Sequence, residues 1–170
     1  MRYAFRTVDV FTTRRFGGNQ LAVILDADGL ETVQMQAIAR EFNYSETAFV
    51  LRPDDPGNTA RVRIFTPVAE VPFAGHPNVG TGHVLASLQH DGARPERFVF
   101  EEKAGLVPVS VRWSGEEVEE VRLTVPEPLS TGSCFTAAQL AACLSLDPAD
   151  IAIRHHLPLI ASVGLPFLVV

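Results

Sequence analysis

Hydrophobic and polar residues alternate with a period of two in several segments of the first 125 residues, and this pattern predicts β-strands. In two other segments, residues 31–42 and 76–90, apolar positions recur at the three- and four-residue spacing of a helix. Short connections join most of the strands, so we expect a mostly antiparallel sheet of seven or eight strands with two helices. The predicted strands lie at residues 3–11, 21–25, 47–52, 60–66, 97–101, 106–113 and 116–125.

A proline-rich segment, residues 126–133, resembles a linker and separates this pattern from the rest of the chain. After it, a helical pattern, a turn and two strand-like runs, at residues 151–156 and 164–170, predict the start of a second unit. We therefore predict an N-terminal lobe at residues 1–128 and an incomplete second lobe at residues 129–170. About forty residues bury little core by themselves, so we expect either a fragment or a lobe that another chain completes.

Composition narrows the function classes. The chain has 170 residues, a formal net charge of −6 and no basic cluster, which argues against a nucleic-acid partner. Its apolar runs are too short to span a bilayer, and the N-terminus lacks the apolar run of a signal peptide. The two cysteines, Cys134 and Cys143, are interpreted as buried thiols in a reducing compartment. We expect a cytoplasmic protein.

The most informative stretch is RIFTPVAEVPFAGHPNVGTGHVL, residues 63–85, which predicts a strand, a loop and the start of a helix. It is neither a Walker A loop, because no lysine follows the second glycine, nor a dinucleotide fingerprint. Free amide groups at such a helix start favour binding of a small carboxylate. Alternatively, the glycines serve only to let the helix approach the sheet closely. Both interpretations stay open at this point.

Two side chains near these segments carry candidate chemistry. His76 precedes or opens the predicted helix and can bind a substrate or transfer a proton, although it can equally cap the helix. Glu46 lies where a helix meets the apolar run TAFV, and desolvation of a carboxyl group favours use as both acid and base. A glutamate at this position can also simply face water. No acidic or HExxH partner accompanies His76 and His83, so we do not expect a metal site.

Three segments in this order and spacing, GGNQLAVIL, QMQAIAREFNYSETAFV and residues 63–85, together resemble the N-terminal half of the PhzF family. These are the phenazine-biosynthesis-like isomerases, which are related to diaminopimelate epimerase. The resemblance implies an α+β fold of two similar lobes, each an antiparallel sheet curled around a central helix. It also implies a metal- and cofactor-independent isomerase that moves a proton between carbons of a small carboxylate, such as trans-2,3-dihydro-3-hydroxyanthranilate.

The resemblance places the catalytic glutamate at Glu46 and the substrate-binding pair at Gly75 and His76. Pro77 and Asn78, which follow directly, are expected to belong to the same substrate site. Ser45 and Asn19 are expected to be neighbours of the substrate. Family members are commonly dimers, so we expect a homodimer or an association with the remainder of the second lobe. The aspartate and glycine-rich segment of the family's other lobe have no counterpart in residues 129–170.

Two alternative functions remain. An amino-acid epimerase or racemase of the same fold would use a pair of cysteines, but the FAGHP loop has none. A small-ligand-binding module without catalysis would bind its ligand and exchange no proton.

Overall fold

The computed structural model describes residues 2–89 and 92–170, and the chain divides into two compact units, Met1–Pro126 and Glu127–Val170. His90, the last residue of the second predicted helix, lies outside the described residues. Within the described residues the first unit has two helices, α1 (Thr32–Phe42) and α2 (Gly75–Ser87). Its strands are β1 (Phe5–Val10), β2 (Asn19–Ile24), β3 (Glu46–Leu51), β4 (Ala60–Phe65), β5 (Glu70–Val71), β6 (Arg97–Glu102), β7 (Gly105–Ser114) and β8 (Glu117–Leu123).

All eight strands belong to one sheet, in the order β1-β2-β3-β4-β6-β7-β8, with the short β5 paired to β4. Most neighbours are antiparallel, as expected from their short connections, and β7 and β8 form the predicted hairpin. Two pairs are parallel, β2 with β3 and β4 with β6. Each parallel pair is joined through a helix, because parallel neighbours need a long crossover connection. The sheet is therefore mixed.

The two helices lie on opposite faces of the sheet. Leu21 of β2 faces α2, where it lies against Gly80, whereas Ile24 of the same strand packs with Met35 and Ala39 of α1. Residues three apart on a strand point to opposite faces. Helix α1 connects β2 to β3, and helix α2 connects β4 to β6, so both connections move in the same direction along the sheet. Strands β2 and β4 run in opposite directions. Because both connections are expected to be right-handed, their helices must lie on opposite sides of the sheet.

Helix α2 occupies the centre of the curled sheet. It packs against β1 and β2 at one end of the strand order and against β7 and β8 at the other. One helix reaches both ends only if the sheet curls around it, so the predicted curled sheet with a central helix is confirmed. Most of α2 is accordingly buried, and strand β3, which is buried from Thr47 to Leu51, lies between the two helices.

The second unit contains one α-helix and a three-stranded antiparallel sheet, in which β11 (Pro166–Val169) pairs with β10 (Leu159–Ser162) and β10 pairs with β9 (Ser130–Cys134). Its small core consists of Leu140, Ala141 and Ile151. The elements are β9 (Ser130–Cys134), α3 (Ala137–Leu144), a 3-10 helix (Pro148–Asp150), β10 (Leu159–Ser162) and β11 (Pro166–Val169).

Three local predictions for this region were wrong. Residues 151–156 form no strand, because Ile151 ends the 3-10 helix and packs against α3 instead. Part of the predicted linker forms β9, whose exposed polar sequence STGSC carries no alternating signal. Cys134 and Cys143 are exposed free thiols rather than buried ones.

No helix of the described residues is long and apolar enough to cross a membrane.

Candidate active site

The predicted residues of the first unit meet where two parallel strands begin. Glu46 is the first residue of β3 and pairs in register with Leu21 of the neighbouring β2. The two strand starts are also linked by side chains, because Ser45 Oγ, just before β3, donates a hydrogen bond of 2.8 Å to Oδ1 of Asn19, the first residue of β2. The sequence pattern alone does not predict this contact, since the two residues are 26 positions apart in the chain.

The first turn of α2 brings His76 to the same place. His76 Nδ1 lies 3.2 Å from Glu46 Oε2, and the two side chains are 8% and 21% exposed. No hydrogen bond of good geometry reaches Glu46 Oε2 or His76 Nε2, both of which are buried. Burial lowers the pKa of His76, while the charge of Glu46 and a hydrogen bond with the Gln20 backbone oppose this shift. The imidazole is therefore mainly neutral at pH 7 and able to donate or accept one hydrogen bond.

The start of α2 has no side chain that caps it. Ala74 occupies the N-cap position and makes no capping hydrogen bond, so the amide groups of Gly75 and His76 have no side-chain acceptor there. Pro77 and Asn78 are both buried, and Asn78 Nδ2 donates a hydrogen bond of 3.0 Å back to the carbonyl of Ala74. These two residues thus support the turn from inside, and their contact with a substrate stays a prediction.

The glycines of α2 divide into two groups. A Cβ atom at Gly80 would lie 2.5 Å from Leu21 Cδ2, and one at Gly82 would lie 2.9 Å from Val109 Cγ1. Real Cβ atoms do not approach other atoms so closely, so these two glycines are required for close packing of helix against sheet. A Cβ atom at Gly75 would meet only Leu123 Cδ2, at 4.0 Å. Close packing therefore explains Gly80 and Gly82, whereas it does not require a glycine at position 75.

An ion-pair network braces the loop that leads into α2. Arg63 donates to both carboxylate oxygens of Glu70, each at 2.8 Å, and Lys103 Nζ lies 2.6 Å from Glu70 Oε2. Arg63 also donates to Thr32 Oγ1 of α1, at 2.9 Å. The amide of Ala104 donates to the carbonyl of Pro72 in the same loop. The sequence analysis did not predict this network, in which Thr32 and Lys103 are more than 30 positions from the partners that they contact.

A groove in the first unit lies away from these residues. A groove of about 940 Å³ runs between the free edges of β1 and β8, over α2 residues that include Gly80 and His83. It is lined by neither Glu46 nor His76. The pairing of an acidic and an imidazole side chain at a helix start selects the site at Glu46 rather than this groove. Among residues 2–89 and 92–170, no three His, Cys, Asp or Glu side chains converge as metal ligands would.

Comparison with known proteins shows the family to which this chain belongs. The family model described as "Phenazine biosynthesis-like protein" (PhzC-PhzF) matches residues 8–170. The chain is 47% identical over 164 residues to the uncharacterized isomerase mll1393 of Mesorhizobium japonicum, covering 95% of this chain and 53% of that protein. It is 39% identical over 145 residues to the trans-2,3-dihydro-3-hydroxyanthranilate isomerase of Pseudomonas aeruginosa, covering 85% of this chain and 50% of that protein.

Solved structures are similar over nearly the whole chain. A predicted epimerase of Pseudomonas aeruginosa, PA4716, aligns with a TM-score of 0.83 and 32% identity, covering 99% of this chain and 58% of that one. A hydroxyproline epimerase from Agrobacterium vitis aligns with a TM-score of 0.61 and 13% identity, over 98% of this chain and 50% of that one, which shows likeness of fold alone. The chain spans about half the length of the curated relatives it matches. From the matched family model and these relatives, the chain belongs to the phenazine biosynthesis-like (PhzF) family of isomerases.

Proposed function

We propose that the protein is a PhzF-type isomerase that moves a proton between two carbons of a small carboxylate substrate, with Glu46 as the acid/base. The observation that carries the proposal is the contact between Glu46 and His76 at the uncapped start of α2. It gains support from the relative named trans-2,3-dihydro-3-hydroxyanthranilate isomerase. We infer that the substrate is a ring carboxylate similar to the one in that name.

In the proposed reaction, the Glu46 carboxylate removes a proton from a carbon of the substrate. The electron pair of the broken C–H bond moves into the adjacent double bonds of the substrate. The same carboxyl group then returns the proton to a carbon at the other end of the shifted double bonds. Atoms and electrons balance without an oxidant or reductant, so the step requires no cofactor.

The other residues of the site bind and orient. The substrate carboxylate accepts hydrogen bonds from the amides of Gly75 and His76, at the positive end of the helix dipole. The neutral His76 ring, held within 3.2 Å of Glu46, hydrogen-bonds a substrate oxygen or nitrogen and keeps the carboxyl group aimed at the reacting carbon. Ser45 and Asn19, which bind each other, form the rim of the site.

The active protein is proposed to have a complete second lobe, supplied by further chain or by an associated polypeptide, and to form a homodimer. A cytoplasmic location also stays a prediction. A closed site matters for the chemistry, because water that reaches a proton-transfer site competes for the proton.

The test uses the full-length protein, after its intact mass has been measured under denaturing and native conditions. It is incubated with trans-2,3-dihydro-3-hydroxyanthranilate in D₂O, and NMR follows the ring carbons. We expect isomerised product with deuterium at the carbon that receives the proton, and loss of this activity in Glu46→Gln with substrate binding retained. The matched control is Glu41→Gln, an exposed glutamate at the end of α1. Exchange and inversion at a single carbon would indicate an epimerase, and binding without exchange would indicate a non-catalytic module.

A further inference from the structure

The stretch at residues 63–85 contains a charged pair that the proposed function does not use. Arg63 begins the stretch on β4, and Glu70 lies on β5, just before the loop that leads to Gly75 and His76. Arg63 Nε and Nη2 donate to the two carboxylate oxygens of Glu70, each at 2.8 Å. A two-pronged contact of this kind fixes both the distance and the direction between its partners.

The pair is largely buried. The side chain of Glu70 is 10% exposed and that of Arg63 is 20% exposed. Transfer of two charges out of water costs free energy that their attraction only partly returns, so a well-packed apolar pair of similar size can serve stability equally well. Stability therefore does not explain why charged residues occupy these positions, whereas a directional anchor for the segment that carries Glu70 requires them.

Glu70 also ties its segment to the turn between β6 and β7. Lys103, in that turn, places Nζ 2.6 Å from Glu70 Oε2. The next residue of the turn, Ala104, donates its amide to the carbonyl of Pro72, at 3.2 Å. Arg63 in addition donates to α1. The loop that enters α2 is thus anchored to β4, to the β6–β7 turn and, through Arg63, to the other helix.

The carboxylate of Glu70 acts from the side of the sheet opposite to the candidate site. Glu70 pairs in register with Phe65, which belongs to the core beneath α1. The next residue, Val71, pairs with Ile64 and therefore points to the α2 side. From there only three residues lead to Gly75. The ion pairs of Glu70 consequently fix the place where the chain crosses toward the first turn of α2.

We propose that Glu70 is a positioning residue for the candidate active site, and that its ion pairs hold segment 71–74 so that the first turn of α2 meets the substrate in its working geometry. This inference rests on the proposed function, because that function assigns substrate binding to this turn. Without the Glu70 carboxylate the segment keeps only its backbone contacts, and the turn becomes mobile relative to Glu46. A displacement of about 1 Å at a reacting group is sufficient to lower a rate about a hundredfold.

The first test measures kcat, KM and the free energy of unfolding for the full-length wild type and for Glu70→Gln. We expect kcat to fall about tenfold or more and KM to rise, because the aim of His76 at Glu46 and the amides that bind the substrate both depend on the turn. The matched control is Asp54→Asn, which breaks the exposed pair of Asp54 with Arg61 on β4 and should change kcat less than about twofold. Unchanged kcat in Glu70→Gln would overturn the proposal.

The double variant Arg63→Met/Glu70→Met separates positioning from stability. It leaves no buried charge without a partner, since Lys103 is 58% exposed, so its free energy of unfolding should return close to that of the wild type. Its kcat should stay about tenfold or more below the wild-type value, because the segment is still not anchored. Recovery of kcat together with stability is the result that a purely structural role predicts, and it would overturn the proposal.

A further measurement needs no activity and separates this inference from the proposed function. In the full-length protein, ¹⁵N relaxation reports the rigidity of the Gly75 and His76 amides. We expect order parameters of about 0.85 in the wild type and in Asp54→Asn, and lower values in Glu70→Gln. Equal order parameters in the wild type and Glu70→Gln would refute the link between Glu70 and the turn. An inactive wild type whose turn becomes mobile in Glu70→Gln would refute the proposed function and leave the link established.

Discussion

Replacement of Gly80 by alanine tests why α2 contains so many glycines. The new Cβ atom would lie 2.5 Å from Leu21 Cδ2 and 2.8 Å from Val10 Cγ2. Leu21 is fully buried and Val10 is 5% exposed, so neither side chain has free space into which it can move. Relief of the overlap must therefore come from a shift of the helix or of strands β1 and β2.

The expected magnitude follows from two opposed effects. Overpacking of a well-packed core by a methyl group costs about 1–3 kcal/mol. Alanine is favoured over glycine inside a helix by about 1 kcal/mol. We therefore expect Gly80→Ala to lower the free energy of unfolding by up to about 2 kcal/mol. Gly75→Ala, in the same helix, meets only ordinary contact at 4.0 Å and should leave stability unchanged or raise it by up to about 1 kcal/mol.

Urea denaturation of the full-length protein measures both variants against the wild type. The fluorescence of Trp113, the only tryptophan in the 170-residue sequence, reports on the first unit, where its indole N–H donates to the carbonyl of Pro95. A lower free energy of unfolding for Gly80→Ala than for both the wild type and Gly75→Ala is the expected result. Equal stability of the two variants would refute the argument that Gly80 is required for close approach of helix and sheet.

Two further perturbations test other contacts. Glu70→Gln should lower the free energy of unfolding by about 1–3 kcal/mol at pH 7, because it leaves the half-buried Arg63 guanidinium without its anion. Burial alone would raise the pKa of Glu70, but its bonds to Arg63 and Lys103 lower the pKa below the ordinary 4.5. The stability that Glu70 contributes should therefore disappear as the pH falls below about 4.5. If the stability of Glu70→Gln depended on acid pH in the same way as that of the wild type, the prediction would be contradicted. Ionisation of Glu102, on β6, should affect stability in the opposite direction, because both of its carboxyl oxygens are buried and no hydrogen bond of good geometry reaches them. Burial raises the pKa of Glu102 from 4.5 to about 8. Between these pH values, the free energy of unfolding of the wild type should fall by up to about 1.4 kcal/mol per pH unit relative to that of Glu102→Gln. Parallel plots of stability against pH for the two proteins would contradict the burial of this carboxyl group.

The parts of the fold that follow from local pattern were predictable. Alternation and short apolar runs identified the main strands of the first unit, and the spacing of apolar residues identified α1 and α2. The two parallel pairs were not predicted, because the sequence pattern does not show which strands a helix connects side by side. Strand β9 was missed because an exposed strand of small polar residues carries no alternation signal.

The sequence pattern predicted the candidate active site less completely than it predicted the strands and helices. The contact between Glu46 and His76 joins residues 30 positions apart, and only the family resemblance suggested that they act together. Burial of Pro77 and Asn78 follows from the central place of α2 in the curled sheet, which the periodicity of the helix alone does not reveal. The signal of Glu102 was present in the sequence, since a glutamate continues the inward-facing series of Phe98 and Phe100.

The central claim is that Glu46 transfers the proton. The most direct measurement is the fate of deuterium when the full-length protein and its Glu46→Gln variant act on trans-2,3-dihydro-3-hydroxyanthranilate in D₂O. The account predicts deuterium at the accepting carbon with the wild type, and none above background with the variant, although the variant still binds the substrate. Deuterium transfer by Glu46→Gln at the rate of the wild type would contradict it.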